Sequence, residues 1–169
     1  DQAFVDVSTP AHRDAILRID VGDVPLVIDG RGRWRAHKPN GASTCYGVRW
    51  FGPRQTRHIQ LLHRLLLGLG SGTSSCTDHR NGDGLDNRRD NLRRATPAQN
   101  AKNVRKWTSR PTTSRYKGVS FHRTSETWRA YIRVDDHQRH LGHFAFEEEA
   151  AMAYDAAARK QHGDFANRL

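Results

Sequence analysis

The segment from residue 78 to residue 100 concentrates side chains that can act on a phosphodiester. Asp78 and His79 are adjacent, and Asn91 and Asn100 follow within the same polar segment. A carboxylate and an amide carbonyl are the oxygen ligands that Mg²⁺ prefers, and they leave positions open for water and a phosphate. Such an ion stabilises the charge that develops on the phosphate, while a neutral imidazole takes a proton from the attacking water. Histidine titrates near neutrality, so His79 suits this role.

Other interpretations of the same residues are possible. An isolated Asp-His pair is more often a surface loop or a helix cap than a catalytic centre. The stretch "NGDGLD" is not expected to bind calcium, because the alternation of ligands fails at Leu85 and no glutamate closes the loop. Asn103 shares a predicted helix face with Asn100 and is a rival ligand. His63 lies in an apolar run and is interpreted as a hydrogen-bonded core histidine.

Two short strands and a helix are predicted to position these side chains. "CTDHR" and "NLRRA" flank a Gly-rich loop and indicate an antiparallel hairpin. The following "TPAQNAKNVRK" opens with Thr96 as a candidate N-cap and Pro97 at the first helical position, which favours a helix start. This order brings the side chains at positions 78, 79 and 100 toward one place.

Upstream of the hairpin, turn residues separate short apolar segments. Between residues 24 and 67 we predict four strands, the last of which could instead begin a helix: "VPLVID", "WRAHK", "TCYGVRWF" and "HIQLLHRLLL". "PAHRDAILRI" predicts a short peripheral helix.

Composition points to a polyanionic partner. The chain has 169 residues, a formal net charge of +10 and a pI near 10.4, which favours nucleic acid. No run approaches the roughly 18 to 20 apolar residues of a membrane span, so no membrane partner is expected. Cys45 and Cys76 are too few for a disulfide framework and lack the spacing of a zinc site. We expect buried free thiols and no structural zinc, although one bridge between them is possible.

The quoted motif resembles a known nuclease family. "DHRNGDGLDNRRDNLRRATPAQNAKN" is similar to the HNH (ββα-metal) motif of phage and intron-encoded homing endonucleases, and with the upstream "LLHRLLLG" the resemblance covers about residues 24–104. It implies that Asp78 and Asn100 bind the metal, that His79 is the general base, and that Asn91 ties the loop together and helps orient the base.

A basic linker and a second small domain are predicted next. "RKWTSRPTTSR" is Ser/Thr-rich and reads as a linker. Three segments then alternate apolar and basic residues at period two, which indicates antiparallel strands: "RYKGVSFHR", "TWRAYIRVD" and "QRHLGHF". "EEEAAMAYDAAARKQHG" predicts a covering helix that ends at Gly163. The large aromatic residues expected in the two cores are Trp34, Trp50, Trp128, Phe144 and Tyr154.

Residues 115–169 resemble the APETALA/ethylene-response-factor DNA-binding domain. In that family three strands enter the major groove, and Arg and Trp side chains contact bases and phosphates. Trp128 and Arg133 match the family pattern, whereas three positions that tend to be Arg or Trp in the plant proteins differ: Ser120, His122 and His140.

These observations predict an α+β protein with three parts. Residues 1–104 form an HNH nuclease domain with its ββα-metal motif at 76–104, residues 105–115 form a basic linker, and residues 116–169 form an ERF-like domain of a three-stranded antiparallel sheet and one helix. The arginines and lysines expected to contact DNA are Arg88, Arg89, Arg93, Arg94, Arg105, Lys106, Arg110, Arg115, Lys117, Arg129, Arg133 and Arg139.

The predicted function is that of a homing-endonuclease-like DNA endonuclease. It would use one Mg²⁺ or Mn²⁺ per active site and hydrolyse a phosphodiester of double-stranded DNA to 3′-OH and 5′-phosphate ends. A monomer, the expected state, would nick one strand, and a dimer would be needed for a double-strand break. The cytoplasm of a bacterium or phage-infected host cell is the expected location. The alternatives are a DNA-binding transcription regulator with a relict nuclease fold, and a basic RNA-binding or structural protein.

Overall fold

The protein has two compact units. A computed structural model describes residues 1–70, 72–103, 112–135 and 137–166, and the chain divides into Asp1–Asn100 and Ala101–Leu169. Small antiparallel sheets and helices make up both units, which confirms the predicted α+β class. Within the described ranges, no helix is long and apolar enough to cross a membrane.

Among its described residues, the first unit has seven strands and the start of the third helix. In chain order its elements are β1 (Gln2–Asp6), β2 (Ile16–Asp20), α1 (Val24–Val27), β3 (Arg35–His37), β4 (Tyr46–Phe51), β5 (His58–Leu61), α2 (Leu62–Leu66), β6 (Cys76–His79), β7 (Leu92–Ala95) and α3 (Pro97–Asn103). Strands β1 and β2 form one hairpin, β3, β4 and β5 form a three-stranded sheet, and β6 and β7 form a second hairpin. All pairings are antiparallel.

The predicted peripheral helix before residue 20 is wrong. Residues Ile16–Asp20 form a strand instead, because Leu17 and Ile19 alternate with period two and are both fully buried in the core. The strand also supports the polar loop, since the Arg18 amide donates to the Leu85 carbonyl at 2.9 Å and the Asn87 amide donates to the Arg18 carbonyl at 2.7 Å. This hairpin is therefore part of the scaffold of the predicted motif.

Two further predictions for the first unit are wrong. The segment Val24–Val27 is a short helix rather than a strand, and it has Pro in its first turn, where the missing N–H costs no hydrogen bond. Trp50 is 37% exposed rather than in the core. The reason is that β4 extends beyond its last pair with β3, between Arg35 and Val48, so Trp50 has a strand neighbour on one side only.

The segment "HIQLLHRLLL" is both strand and helix. It starts as edge strand β5 and turns into α2 at Leu62. Leu62 and Leu66 enter the core of the first unit, and His63 between them is also buried. The predicted strands β3 and β4 are confirmed.

The predicted strand, loop, strand and helix around the polar motif are confirmed within the described residues. In the β6–β7 hairpin Asp78 lies opposite Arg93. Helix α3 begins at Pro97 with a capping box, in which the Gln99 amide donates to Thr96 Oγ1 at 3.2 Å and the Thr96 amide donates to Gln99 Oε1 at 2.8 Å. Residues 104–106, where we predicted further helix, lie outside the described residues.

The second unit has the three strands and the helix that its sequence predicts. Strands β8 (Val119–His122), β9 (Thr127–Val134) and β10 (His137–Phe144) form an antiparallel sheet in the order β10-β9-β8, and α4 (Glu147–His162) packs against all three. Gly118 has φ +71° and an added Cβ would lie 2.2 Å from the Tyr154 ring, so only glycine fits there. Tyr154 is buried, and Trp128 and Phe144 are partly buried against the core. Residues 104–111, most of the predicted linker, are outside the described residues.

Candidate active site

Asn91 braces the loop between β6 and β7. Its Nδ2 donates to Asn81 Oδ1 at 3.0 Å and to the Asp86 carbonyl at 2.7 Å, and its Oδ1 accepts from the Asn81 amide at 3.0 Å. The residue is buried, where hydrogen-bonding groups need partners. Asn91 thus closes the loop on itself, in agreement with the loop-tying part of its predicted role.

Ion pairs anchor the same loop. Arg88 holds the fully buried Asp86 at 2.7 Å, and Arg89 reaches Asp23 at 2.6 Å. The Arg88 guanidinium lowers the pKa of Asp86 below its usual value, chiefly by hydrogen bonding. These arginines, predicted to contact DNA, have structural partners in the protein.

Asp78 forms a buried ion pair with Arg93. Asp78 Oδ2 accepts from Arg93 Nε at 2.7 Å and lies 2.5 Å from its Nη2, and the two side chains are 4% and 8% exposed. The pair joins facing positions of the two strands, so the hairpin register itself brings the charges together. Arg93, predicted to contact DNA, is therefore buried in an ion pair rather than exposed.

His79 lies in a cluster of three aromatic rings. Its ring centroid is 5.2 Å from that of His63 at an interplanar angle of 87°, and 5.9 Å from that of Tyr46. The Tyr46 and His63 rings are themselves 5.4 Å apart. His63 and His79 are 7% and 5% exposed. The candidate base is thus held between an α2 residue and a β4 residue.

Burial keeps both histidines neutral at pH 7. Desolvation lowers the pKa of His79, and it outweighs the opposing effects of a hydrogen-bonding contact with Asn87 and of nearby carboxylates such as Asp78. Desolvation and the neighbouring His79 lower the pKa of His63 to about 3. A neutral imidazole is the form that accepts a proton. Burial and the Asp78 charge also raise the pKa of Tyr46.

Sequence reasoning did not assign to the site two residues that contact His79, namely His63 and Asn87. The prediction that His63 is buried is confirmed, but its Nδ1 makes no hydrogen bond to any described residue. Burying an unpaired polar group costs about 1–3 kcal/mol. Asn87 is fully buried, and its side chain makes the hydrogen-bonding contact with His79. A histidine inside the apolar run "LLHRLLL" was the available signal for His63.

The candidate metal ligands differ in position. Asp78 is buried in the β6–β7 hairpin. Asn100 is half-buried in the first turn of α3, and Asn103, one turn later, is buried. Among the described residues, no group of three or more His, Cys, Asp or Glu side chains is arranged to hold a metal ion. The predicted set, one carboxylate and one carboxamide, has the oxygen chemistry that suits Mg²⁺ with water completing its shell.

The remaining residues predicted to contact DNA fall into three groups. Arg94, Arg115, Arg133 and Arg139 are exposed, and Lys117 and Arg129 are half-buried. Burial lowers the pKa of Lys117. The others lie outside the described residues: Arg105, Lys106 and Arg110. Cys45 and Cys76 are free thiols, as expected, but are only half-buried.

Comparison with known proteins gives one relationship at the level of sequence. No family model matches the chain, and no solved structure matches it. Protein 3.8 of Escherichia phage T7 is 34% identical to the chain over 89 residues, which cover 53% of this chain and 71% of Protein 3.8. The chain therefore belongs to the same family as Protein 3.8 of phage T7.

Proposed function

We propose that this protein is a divalent-metal-dependent DNA endonuclease of the HNH type that nicks one strand of duplex DNA. The observation that carries the proposal is the buried His79, next to Asp78, at the end of the first strand of a hairpin that leads into a helix. The brace by Asn91 supports it, because that brace fixes the loop directly after His79.

In this proposal each side chain has a distinct task. His79, kept neutral by burial, takes a proton from the water that attacks the phosphorus. Asp78 and Asn100 would hold the Mg²⁺ or Mn²⁺ through oxygen atoms, while Arg93 orients the Asp78 carboxylate by hydrogen bonding to Oδ2. When bound, the ion supplies stabilisation of the charge that develops on the phosphate. The products would carry 3′-OH and 5′-phosphate ends.

The second unit would anchor the enzyme on DNA. Cleavage chemistry does not read sequence, so any site preference has to come from base contacts or DNA shape. The exposed Arg133 and Arg139 on the three-stranded sheet are available for phosphates, and the net charge of +10 favours association with duplex DNA. A monomer acting in the cytoplasm of a bacterium or phage-infected cell is consistent with one active site and one nick.

A second candidate function is supported by a specific observation. Arg93 already neutralises Asp78 through a buried ion pair, which leaves that carboxylate less charge to offer a metal ion. This pairing favours a DNA-binding regulator with a relict nuclease motif. This alternative predicts DNA binding without cleavage.

A plasmid relaxation assay separates the two functions. The full chain is incubated with supercoiled plasmid in Mg²⁺, in Mn²⁺ and in excess chelator, and binding to the same DNA is measured in parallel. We expect open-circular product with either metal and none with chelator. Binding without any relaxation would refute the endonuclease and favour the regulator. His58→Ala, a change at an exposed histidine of β5, is the matched control and should relax plasmid like the wild type.

A further inference from the structure

The three rings around the candidate base come from three separate parts of the first unit. His79 ends β6, His63 lies in the first turn of α2, and Tyr46 begins β4. The His63 and His79 rings meet edge to face, at 87° and 5.2 Å. This is one of the preferred geometries of aromatic pairs. Contacts of this kind restrict the rotation of the His79 ring.

The loop of the motif fixes Tyr46 in turn. A Cβ added at Gly84 would lie 2.4 Å from the Cys45 carbonyl oxygen and 2.6 Å from Cδ1 of Tyr46, so the loop backbone packs directly on the tyrosine ring. The Gly84 amide also donates to Thr44 Oγ1 at 3.0 Å. Tyr46 is therefore held by the loop that follows His79, and it transmits that constraint to His63 and His79.

The ring contact is the interaction through which His63 can act on His79. Its Nδ1 makes no hydrogen bond to a described residue. A role as a proton relay does not fit either, because burial lowers the pKa of His63 to about 3, so this ring does not take up a proton at neutral pH. What His63 offers to the site is a planar ring of defined edge and face, buried on the helix that carries the core residues Leu62 and Leu66.

We propose that His63, backed by Tyr46, is a positioning residue that holds the imidazole of His79 in the orientation required for proton abstraction. The inference rests on the proposed endonuclease function and deepens it. It assigns to a residue outside the hairpin a part in setting the reactive geometry, since small displacements of a base from its productive orientation lower the rate of the chemical step.

The test uses three variants of the full chain. His63→Leu fills the space without a planar ring, His63→Phe keeps a ring edge, and His58→Leu is a matched change at an exposed histidine. For each we measure kcat and KM of Mg²⁺-dependent nicking per folded molecule, together with the NMR resonances of the His79 ring in metal-free protein. We expect His63→Leu to lower kcat at least tenfold with KM within about threefold of wild type. His63→Phe should retain kcat within about threefold, and His58→Leu should change neither constant.

The NMR signal separates positioning from loss of fold. Removing the neighbouring ring in His63→Leu should shift the His79 ring protons, whereas His58→Leu should leave them in place. A folded His63→Leu protein with wild-type kcat would overturn the positioning role. So would a kcat loss above tenfold in His63→Phe, which keeps the ring and remains informative if the leucine variant does not fold. Absence of nicking by the wild type would instead overturn the proposed function itself.

Discussion

The β6–β7 hairpin and the sheet-and-helix unit bury opposite kinds of side chain. The hairpin and its loop enclose charged and amide groups: Asp78, His79, Asp86, Asn87, Asn91 and Arg93. In the second unit the sheet and α4 enclose mainly apolar and small residues such as Val119, Ala130 and Ala150. Polar side chains of its strands, including His143, lie on the exposed side.

The two kinds of burial differ in how they affect the stability of the fold. Apolar burial stabilises without any requirement for partners, whereas buried polar groups are stable only when ion pairs and hydrogen bonds are complete. In the hairpin, the Asp78–Arg93 pair and the Asn91 brace supply part of these interactions. Buried charged and amide groups concentrated in the hairpin are what the proposed active site would require, whereas the core of the second unit needs only apolar packing.

Replacing the candidate base should produce the largest effect. His79→Ala is expected to lower Mg²⁺-dependent nicking by about 10²–10⁴-fold, the usual contribution of a general base. DNA affinity should be unchanged, because binding depends on other residues. Plasmid relaxation and a gel-shift titration measure the two quantities. If pure His79→Ala nicked DNA at the wild-type rate, His79 would have no part in the mechanism. The proposed assignment of cleavage to the hairpin rather than to the second unit would then lose its support.

Breaking an ion pair should cost much more in the hairpin than in the second unit. Asp78→Ala leaves Arg93 buried without its carboxylate, which should lower the free energy of unfolding by about 3–5 kcal/mol. Adding Arg93→Leu to Asp78→Ala should restore most of the lost free energy of unfolding, because neither charge is then buried alone. In the second unit Arg115 and Glu148 are 3.7 Å apart and 73% and 61% exposed, so Glu148→Ala should have no measurable effect.

Urea unfolding of these variants tests the contrast. The double variant is the internal control for fold, since it removes the pair without stranding either charge. If Asp78→Ala and Glu148→Ala lowered the free energy of unfolding equally, burial of the Asp78–Arg93 pair would have no energetic consequence. That result would contradict the difference expected from the exposures of the two pairs.

Acid should destabilise the first unit through His63. The pKa of His63 is about 3 in the folded protein, whereas an unfolded histidine titrates near 6.5. Below that pH the unfolded chain binds a proton that the folded chain does not, so the free energy of unfolding falls as pH falls. Between pH 7 and pH 5 the loss from this residue is about 2 kcal/mol, and His63→Phe should lack it.

An exposed histidine of the second unit supplies the control. Desolvation, followed by the charge of Arg129, lowers the pKa of His143 in the same direction, but its side chain is exposed. His143→Gln should therefore leave the pH dependence of unfolding close to that of the wild type. Urea titrations at pH 5, 6 and 7 measure both slopes. Parallel curves for the wild type and His63→Phe would contradict the inferred burial of a neutral His63.

The two regions also differ in how far sequence could predict them. Strands β8 to β10 and helix α4 were predicted because local periodicity specifies them. The strand at Ile16–Asp20 was missed although Leu17 and Ile19 alternate within it, because so short an alternation does not distinguish a strand from a helix. What stabilises it as a strand includes distant contacts, those of Arg18 with Leu85 and Asn87. The motif likewise identified His79 and Asn91 as candidate site residues, because both lie within it. The contact of His63 with His79 could not be predicted, since it depends on how α2 packs.

The smallest expected effect concerns a single arginine of the exposed sheet face. Arg133 lies on β9 next to the buried Ile132 and is itself exposed, whereas Arg129 and Tyr131, on the same face of the strand, are half-buried. If it neutralises one phosphate, Arg133→Ala should weaken duplex DNA binding a few-fold and reduce the slope of log K against log salt by about 0.9. Arg31, which is 74% exposed beside Asp29 in the first unit, is the matched control, and Arg31→Ala should leave the slope unchanged. Fluorescence anisotropy at several salt concentrations measures both slopes. If Arg31→Ala changed the slope of log K against log salt and Arg133→Ala did not, the phosphate contact would belong to the first unit. The proposed role of the exposed sheet face as the DNA anchor would then be wrong.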